Sequence, residues 1–336
     1  MRPFVLLRGA GWLAPAVVTL LGCQTGGMGP DPERGRNPAW PPEDPRVRFD
    51  RALVTERDVS GSGFFSRLAG KQPQPLFERP FGVAWDGDDL VVTDPGAGRI
   101  VLLEQAGKIR RSSPGLLSGP IGVDVCTAGI VVADARSGRV GLLDDQLRLI
   151  RWLAEDLQRP TGVACIPEGV AVVETGAHRV VILSEDGSLR SIGHRGSAPG
   201  EFNFPTAITF DGDSLWVGDT LNFRIQTIDL QTGAAEERFG HIGDAPGENP
   251  RIKGIAVDTL DRVWVSDALL DVVALFDTSG NYLMRIGNRG SQDGQFSFPT
   301  GIAIHPDGRV AVVDSLNRRI QILRITKRED ASRETR

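Results

Sequence analysis

Histidine, cysteine and acidic residues are the side chains of this chain that could carry out chemistry, and their spacing forms no local metal-binding motif. The four histidines are His178, His194, His241 and His305. Zinc hydrolases present two histidines in an HxxH or HExxH arrangement, which none of these four forms. The sequence therefore gives no support for zinc hydrolase chemistry, and we expect neither a metal ion nor a cofactor.

Asp124 is the acidic residue in the most unusual position. It lies within residues 122–126, Gly-Val-Asp-Val-Cys, where similar segments of the chain have alanine or threonine instead. If this segment is an innermost strand, its carboxylate must meet water, a partner or a metal ion. Two interpretations stay open: a channel-facing group that water solvates, or a ligand-binding residue.

A segment repeated six times must position these side chains. Its clearest copy, residues 299–323, contains β-branched runs at 301–304, 309–313 and 319–323 separated by turn residues, which is typical of an antiparallel meander. The second run of each copy ends in an acidic residue, usually with Arg five positions later. We call these the repeat marks: Asp94 and Arg99, Asp134 and Arg139, Glu174 and Arg179, Asp219 and Arg224, Asp267 (with Val272 in place of Arg), and Asp314 and Arg319.

The number and period of these units predict the fold. Six units of short strands without helical spacing favour a β-propeller over a helical solenoid. The chain ends before the sixth unit has a fourth strand, whereas residues 47–54 have a strand-like pattern and precede the first unit. Because an open sheet edge is a liability, we predict an all-β, six-bladed propeller over 47–325, closed by 47–54 as the outer strand of the last blade. Its repeats would span about 79–118, 119–158, 159–203, 204–249, 250–297 and 298–325.

Two copies of the repeat carry a recognisable family pattern. The fourth contains Pro205, Val217-Gly-Asp-Thr and Asn222-Phe-Arg-Ile-Gln, and the sixth is closely similar. This pattern resembles the NHL repeat, and the resemblance covers residues 79–324. It implies a six-bladed NHL or TolB-like propeller but no single activity, because this scaffold hosts binding modules and enzymes. Amidating lyases of this fold use histidine and acidic ligands around the channel, and calcium-dependent lactonases use several carboxylates or amides. No such set can be assigned here.

The repeat marks are predicted to stabilise each blade, with the acidic residue accepting N–H groups of a tight turn and the Arg reaching it. Recognition is expected from residues that vary inside these turns and from the loops 194–204, 241–249 and 288–298, which strand order places on the same face. The alternative is that these loops only span from an outer strand back to the centre. The candidate binding residues are His178, Asn222, Phe223, Arg318, His194, Arg195, Asp244, Glu248, Arg289 and Asp293.

Cys126 and Cys165 are predicted to lie on inner strands of neighbouring blades. Packed sheets lie ~10 Å apart, whereas a disulfide needs Cα atoms within ~7 Å of each other, so a bond is possible only near the propeller axis. We expect two buried thiols.

The N-terminal residues predict export and lipid attachment. Residues 1–22 contain Arg2 and Arg8 followed by an apolar stretch without an acidic residue, as in a secretory signal. Gly22 and Cys23 resemble a bacterial lipobox, whose cysteine is lipidated and becomes the mature N-terminus. Residues 23–46, with six Pro and four Gly, are predicted to form a tether, and residues 326–336 a charged tail.

Composition bounds the class of protein. A chain of 336 residues with 40% apolar residues can build one large core, and its net charge of −5 without a basic aromatic patch argues against nucleic-acid binding. We therefore predict a monomeric, non-enzymatic outer-membrane lipoprotein that acts as a scaffold for another, unidentified exported or outer-membrane protein, beside extracellular cytochrome or secretion assemblies. The alternatives left open are a channel-centred, metal-dependent lyase or lactonase and a non-catalytic ligand sensor.

Overall fold

The computed structural model describes residues 38–44, 46–60, 74–243, 247–248 and 251–326, which form a ring of six antiparallel sheets, or blades. The inner strands of neighbouring blades contact one another all the way round, so the ring is closed. The predicted all-β, six-bladed propeller is therefore confirmed. The predicted signal, Cys23, the tether up to residue 37, Asp244 and the tail from residue 327 lie outside the described residues. Within the described ranges, no helix has both the length and the apolar character needed to cross a membrane.

The strands follow one another from the axis to the rim of each blade. β1 (Ala39–Trp40), β2 (Val47–Leu53) and the short helix α1 (Glu56–Ser60) precede blade 1. Blades 1 to 3 contain β3 (Val83–Asp86), β4 (Asp89–Asp94), β5 (Arg99–Leu103), β6 (Ile109–Arg111), β7 (Pro120–Cys126), β8 (Gly129–Asp134), β9 (Arg139–Leu143), β10 (Leu149–Ala154), β11 (Pro160–Ile166), β12 (Gly169–Glu174), β13 (Arg179–Ser184) and β14 (Leu189–Ile192). Blades 4 to 6 contain β15 (Ala207–Phe210), β16 (Ser214–Asp219), β17 (Arg224–Asp229), β18 (Ala235–Phe239), β19 (Ile252–Val257), β20 (Arg262–Asp267), β21 (Val272–Asp277), β22 (Tyr282–Ile286), β23 (Pro299–Ile304), β24 (Arg309–Asp314) and β25 (Arg319–Ile325).

The hydrophobic core lies between the blades, because successive side chains of a strand point to opposite faces of its sheet. On β3, for example, Val83 packs with residues of blade 6, whereas Ala84 packs with residues of blade 2. Every pair of neighbouring blades shares such an apolar cluster. A blade therefore buries its faces only when both neighbours are present.

The ring closes through the segment that precedes the first blade. β2 pairs antiparallel with β25, with Val47 opposite Ile325 and Leu53 opposite Ile320, as the closure prediction requires. β1 adds a further strand outside β2, so Ala39 and Trp40, which were predicted to belong to the tether, belong to the propeller. The reason is the Trp40 side chain, which packs against the apolar cluster between blades 5 and 6.

The acidic repeat marks hold the chain where it enters each blade. In every blade, the carboxylate accepts one or two backbone N–H groups from residues 15 to 17 positions upstream. Four of the Arg marks, Arg99, Arg179, Arg224 and Arg319, bond the acidic mark of their own blade. Arg139 differs, because its guanidinium pairs with Glu155 at 2.9 Å and lies over the ring of Trp152.

Cys126 and Cys165 form a disulfide, so the prediction of two buried thiols is wrong. Their Cα atoms are 5.5 Å apart. The ~10 Å spacing of packed sheets does not apply here, because the inner strands of blades 2 and 3 converge on the axis. The bond therefore joins these two blades covalently at their innermost strands.

Candidate binding face and central channel

One end of the ring carries both the variable turns and the loops between blades, and we call it the turn face. It consists of the turns between the second and third strands of each blade together with the loops 194–204, 241–249 and 288–298. Antiparallel order brings both sets to the same edge, and direct bonds join them. Asn222 Nδ2 donates to the Gly196 carbonyl, and Asn317 Nδ2 to the Gly290 carbonyl, each at 2.8 Å.

Each variable turn ends in a residue with left-handed backbone. The positions are Gly98, Gly138, His178, Phe223, Asp271 and Arg318, with φ between 56° and 70°. A non-glycine residue in this conformation costs about 1–2 kcal/mol, so its side chain must contribute elsewhere if the position is to be stable.

His178 makes its contribution inside the fold. Its side chain is buried, its Nδ1 accepts the Phe204 N–H at 3.1 Å, and its ring packs edge-on against Phe204. Asp271 acts in the same way two blades further on, because its carboxylate accepts the Phe298 N–H at 2.7 Å and pairs with Arg289. The structure therefore places His178 where it holds the chain entering blade 4, which corrects its prediction as a binding residue.

The loop 194–204 is held rigidly by its neighbouring turn. Asn222 bonds both Gly196 and Asp219, and one guanidinium nitrogen of Arg224 donates to the Ala198 and Glu201 carbonyls. Loop 288–298 has the same network, built from Asn317, Arg319 and Gln321. The Asn222 side chain is thus hydrogen-bonded within the fold. The bonds from the neighbouring turns fix the positions of the tips of these two loops.

The remaining predicted binding residues that the structure describes lie at or near the surface of the turn face. His194 pairs with Glu201, and His241 with Glu248, each at 3.3 Å. The pKa of Glu201 is lowered, chiefly by the hydrogen bond from the Ala198 N–H. The Ser197 N–H and the His194 ring lower it further, whereas burial opposes the shift. Arg195, Arg318, Arg289 and Asp293 are exposed, and Phe223 is half-buried.

Exposed leucines on the turn face were missed by the sequence analysis as a group. The second position of the variable turn holds Leu221, Leu269 and Leu316 in blades 4, 5 and 6, with exposures of 39%, 59% and 54%. We call these three residues the leucine arc. The same position holds Gly96, Arg136 and Gly176 in blades 1 to 3, so the turn does not require leucine. The signal was available in the alignment of the repeats, as one apolar residue type in three consecutive copies.

The channel along the axis contains a charged residue that the sequence analysis did not identify. It has a volume of about 70 Å³ and is lined mainly by glycine, valine, isoleucine and threonine of the inner strands. Among its described lining residues, Lys253 alone carries a charged side chain. Burial lowers the pKa of Lys253 to about 8, and Arg251 and Arg159 add to the shift.

Asp124, the predicted channel residue, lies on the innermost strand β7, is half-buried and bonds the neighbouring blade. It points toward blade 3, where one carboxylate oxygen accepts the Cys165 N–H and the other accepts the Val125 N–H, each at 2.8 Å. Burial raises the pKa of Asp124, and these two hydrogen bonds oppose the rise. The carboxylate joins blades 2 and 3 beside the disulfide.

A divalent cation does not fit the channel, because hard cations need several oxygen ligands and the charged lining residue is a lysine. Across the described ranges, no three histidine, cysteine, aspartate or glutamate side chains converge as a metal site would require.

A larger cavity of about 360 Å³ lies at the opposite face, between blades 6 and 1. Arg309 lies over the Trp85 ring and bonds Asp307 and Asp88, while His305 Nδ1 lies 2.8 Å from Asp307. Burial alone would raise the pKa of Asp307, but hydrogen bonds from Arg309 and His305 lower it to about 2. These charged groups pair with one another, so we assign them a structural role at the junction of blades 6 and 1.

Comparisons with known proteins agree with this architecture. A family model described as NHL repeat matches residues 296–323. No curated protein matches the chain in sequence. Among solved structures, the fold is similar to virginiamycin B lyase from Staphylococcus aureus (16% identity, 77% of this chain and 86% of that chain, TM-score 0.57). It is also similar to a gluconolactonase from Xanthomonas campestris (17% identity, 83% and 98%, TM-score 0.58) and to a protein of unknown function from Bacteroides thetaiotaomicron (14% identity, 81% and 75%, TM-score 0.60).

These similarities correct the expectation that the chain is not an enzyme. Two of the similar propellers are a lyase and a gluconolactonase, so the missing local motif does not exclude catalysis on this scaffold. Identities of 14 to 17% show the shared fold and carry no activity to this chain. The closed ring confirms the predicted fold: the chain is a six-bladed β-propeller, and residues 296–323 match the NHL repeat.

Proposed function

We propose that this propeller is an exported, lipid-anchored protein whose turn face binds a partner protein of the cell envelope. The observation that carries the proposal is the leucine arc, because three large apolar side chains are exposed at one equivalent position in consecutive blades. Single exposed leucines are common, whereas grouped apolar side chains with a polar border are typical of interaction sites.

The surroundings of the leucine arc support an interface. Ile242, in the loop between blades 4 and 5, is 66% exposed on the same face. Exposed Arg195, Arg289 and Arg318 stand on the loops and turn beside it. An apolar centre with a polar, Arg-containing rim is the usual anatomy of a protein interface. We therefore expect a partner that presents apolar side chains flanked by carboxylates.

Two further features support export. The N-terminal 23 residues have the charge, apolar stretch and cysteine of a lipoprotein signal. The Cys126–Cys165 disulfide fits an oxidising compartment, because cytosolic thiols are kept reduced.

The test compares two triple variants as baits for solubilised envelope proteins of the source cells. Leu221→Ser, Leu269→Ser and Leu316→Ser remove the leucine arc, while Ile150→Ser, Leu189→Ser and Leu283→Ser remove equally exposed side chains from the outer strands β10, β14 and β22. We expect the native protein and the outer-strand variant to recover the same partner. The leucine-arc variant should recover at least tenfold less, because each buried leucine contributes ~1–2 kcal/mol. Equal recovery by the two variants, with equal melting temperatures, would overturn the proposal.

A further inference from the structure

Lys253 occupies a position that the other blades fill with uncharged residues. It is the second residue of β19, where the equivalent residues are Phe81, Ile121, Thr161, Thr206 and Thr300. The threonines there donate to the next blade: Thr161 to the Thr206 carbonyl and Thr206 to the Ile252 carbonyl at 3.1 Å, and Thr300 to the Phe81 carbonyl at 2.7 Å.

Blade 5 makes the corresponding bond with another residue. Ser266 Oγ donates to the Thr300 carbonyl, which is the acceptor that a threonine at position 253 would use. Lys253 is therefore not needed for the cross-blade bond, and the residue lines the channel. A structural requirement for lysine is absent from this part of the described fold.

The charges around Lys253 have the same sign. Arg159 and Arg251 are the charged groups that act on it, and both are exposed. Arg79, Arg159 and Arg251 directly precede the residues that open blades 1, 3 and 5, so they alternate around the ring at the turn-face end of the channel. We call this end, with Lys253 inside it, the channel mouth.

A half-buried ammonium group beside two guanidinium groups destabilises the fold unless an anion compensates for it. We propose that the channel mouth binds a small oxyanion, of phosphate or carboxylate type, through Lys253 with Arg159 and Arg251. A volume of about 70 Å³ restricts the bound group to a few heavy atoms. This site does not depend on the leucine arc, so it can exist whether or not the turn face binds a protein.

Thermal unfolding at constant ionic strength tests the site, with inorganic phosphate and succinate as separate probes. We expect at least one of these anions to raise the melting temperature of the native protein. The control variant Lys108→Met should respond equally, because it keeps Lys253 and changes an exposed lysine in the turn between β5 and β6, on the face opposite the turn face. Lys253→Met should melt higher than the native protein without anion, because an unpaired cation is gone. It should also lose at least tenfold in affinity for that anion, as expected for a charged hydrogen bond worth ~1.5–3 kcal/mol.

A second measurement follows the ammonium group directly. Reductive methylation with ¹³C keeps the lysine charge, and the chain has only four lysines, so the Lys253 signal is identified by its absence in Lys253→Met. Its pKa should rise by about one unit when the anion binds. No response of the native protein to either anion, or an equal response in Lys253→Met, would overturn the proposal. The leucine-arc variant should keep the full anion response, which separates this result from that of the partner test.

Discussion

At the scale of single residues, contacts in the folded structure assign roles that differ from those suggested by residue type and spacing. Asp124 and His178 were attractive because their residue types can do chemistry, yet both bond backbone N–H groups that join neighbouring blades. Lys253 carries the charge in the channel, although no motif marked it. The sequence could show that Asp124 breaks the repeat pattern. It could not show which neighbour its carboxylate meets, because that depends on the angle between blades.

The raised pKa of Asp124 makes a pH-dependent prediction. Because burial raises its pKa in the folded protein above 3.8, the folded state binds the proton more tightly than the unfolded state does. Its contribution to folding stability is therefore greatest below pH 3.8 and falls as pH rises through the folded-state pKa. As the pH rises from 4 to 7, we expect the free energy of unfolding of Asp124→Ala to increase relative to that of the native protein, measured by guanidinium unfolding. Parallel pH profiles of the two proteins would contradict this.

At the scale of elements, the closing strand was predictable and the fifth strand of its blade was not. Residues 47–54 show strand-like apolar residues next to a sixth unit that lacks a strand, and β2 pairs with β25 as expected. β1 has only two residues in a Pro-rich segment, so no pattern could reveal it. The disulfide escaped prediction for a geometric reason, since sheet spacing shrinks toward the axis.

The closing strand supplies a stability prediction. Phe49 on β2 is buried in the cluster between blades 5 and 6, and it closes the ring together with its strand partner Leu323. Phe49→Ala should lower the free energy of unfolding by about 3–5 kcal/mol, because it leaves a cavity in this cluster. The adjacent Asp50→Ala changes an exposed residue and should cost less than about 0.5 kcal/mol. Similar unfolding midpoints for the two variants would show that β2 does not seal the ring.

At the scale of the whole molecule, a closed ring of six blades follows an N-terminal segment for which we propose membrane attachment. Tandem repetition was sufficient to predict the ring, because each blade needs both neighbours to bury its faces. Strand order already predicted one face for the variable turns and the loops, whereas the exposure of Leu221, Leu269 and Leu316 on that face became visible only in the structure. Attachment through Cys23 stays a proposal from the signal-like sequence.

Attachment can be tested by exchanging residues 1–23 for a cleavable secretory signal that lacks a cysteine. We expect the exchanged protein to move from the membrane fraction to the soluble fraction, because each buried acyl CH₂ group contributes ~0.8 kcal/mol to membrane binding. The double variant Cys126→Ser and Cys165→Ser serves as the control and should remain in the membrane fraction. Retention of the exchanged protein in the membrane would argue against a lipid anchor.

Site-specific photocrosslinking in living source cells tests whether the turn face contacts a partner through the leucine arc. A photoreactive phenylalanine analogue would replace Leu269 on the turn face or Leu283 on the outer strand β22, which are 59% and 45% exposed. We expect a discrete crosslinked protein from position 269 and none from position 283. Crosslinking from position 283 alone, or from neither position, would contradict it.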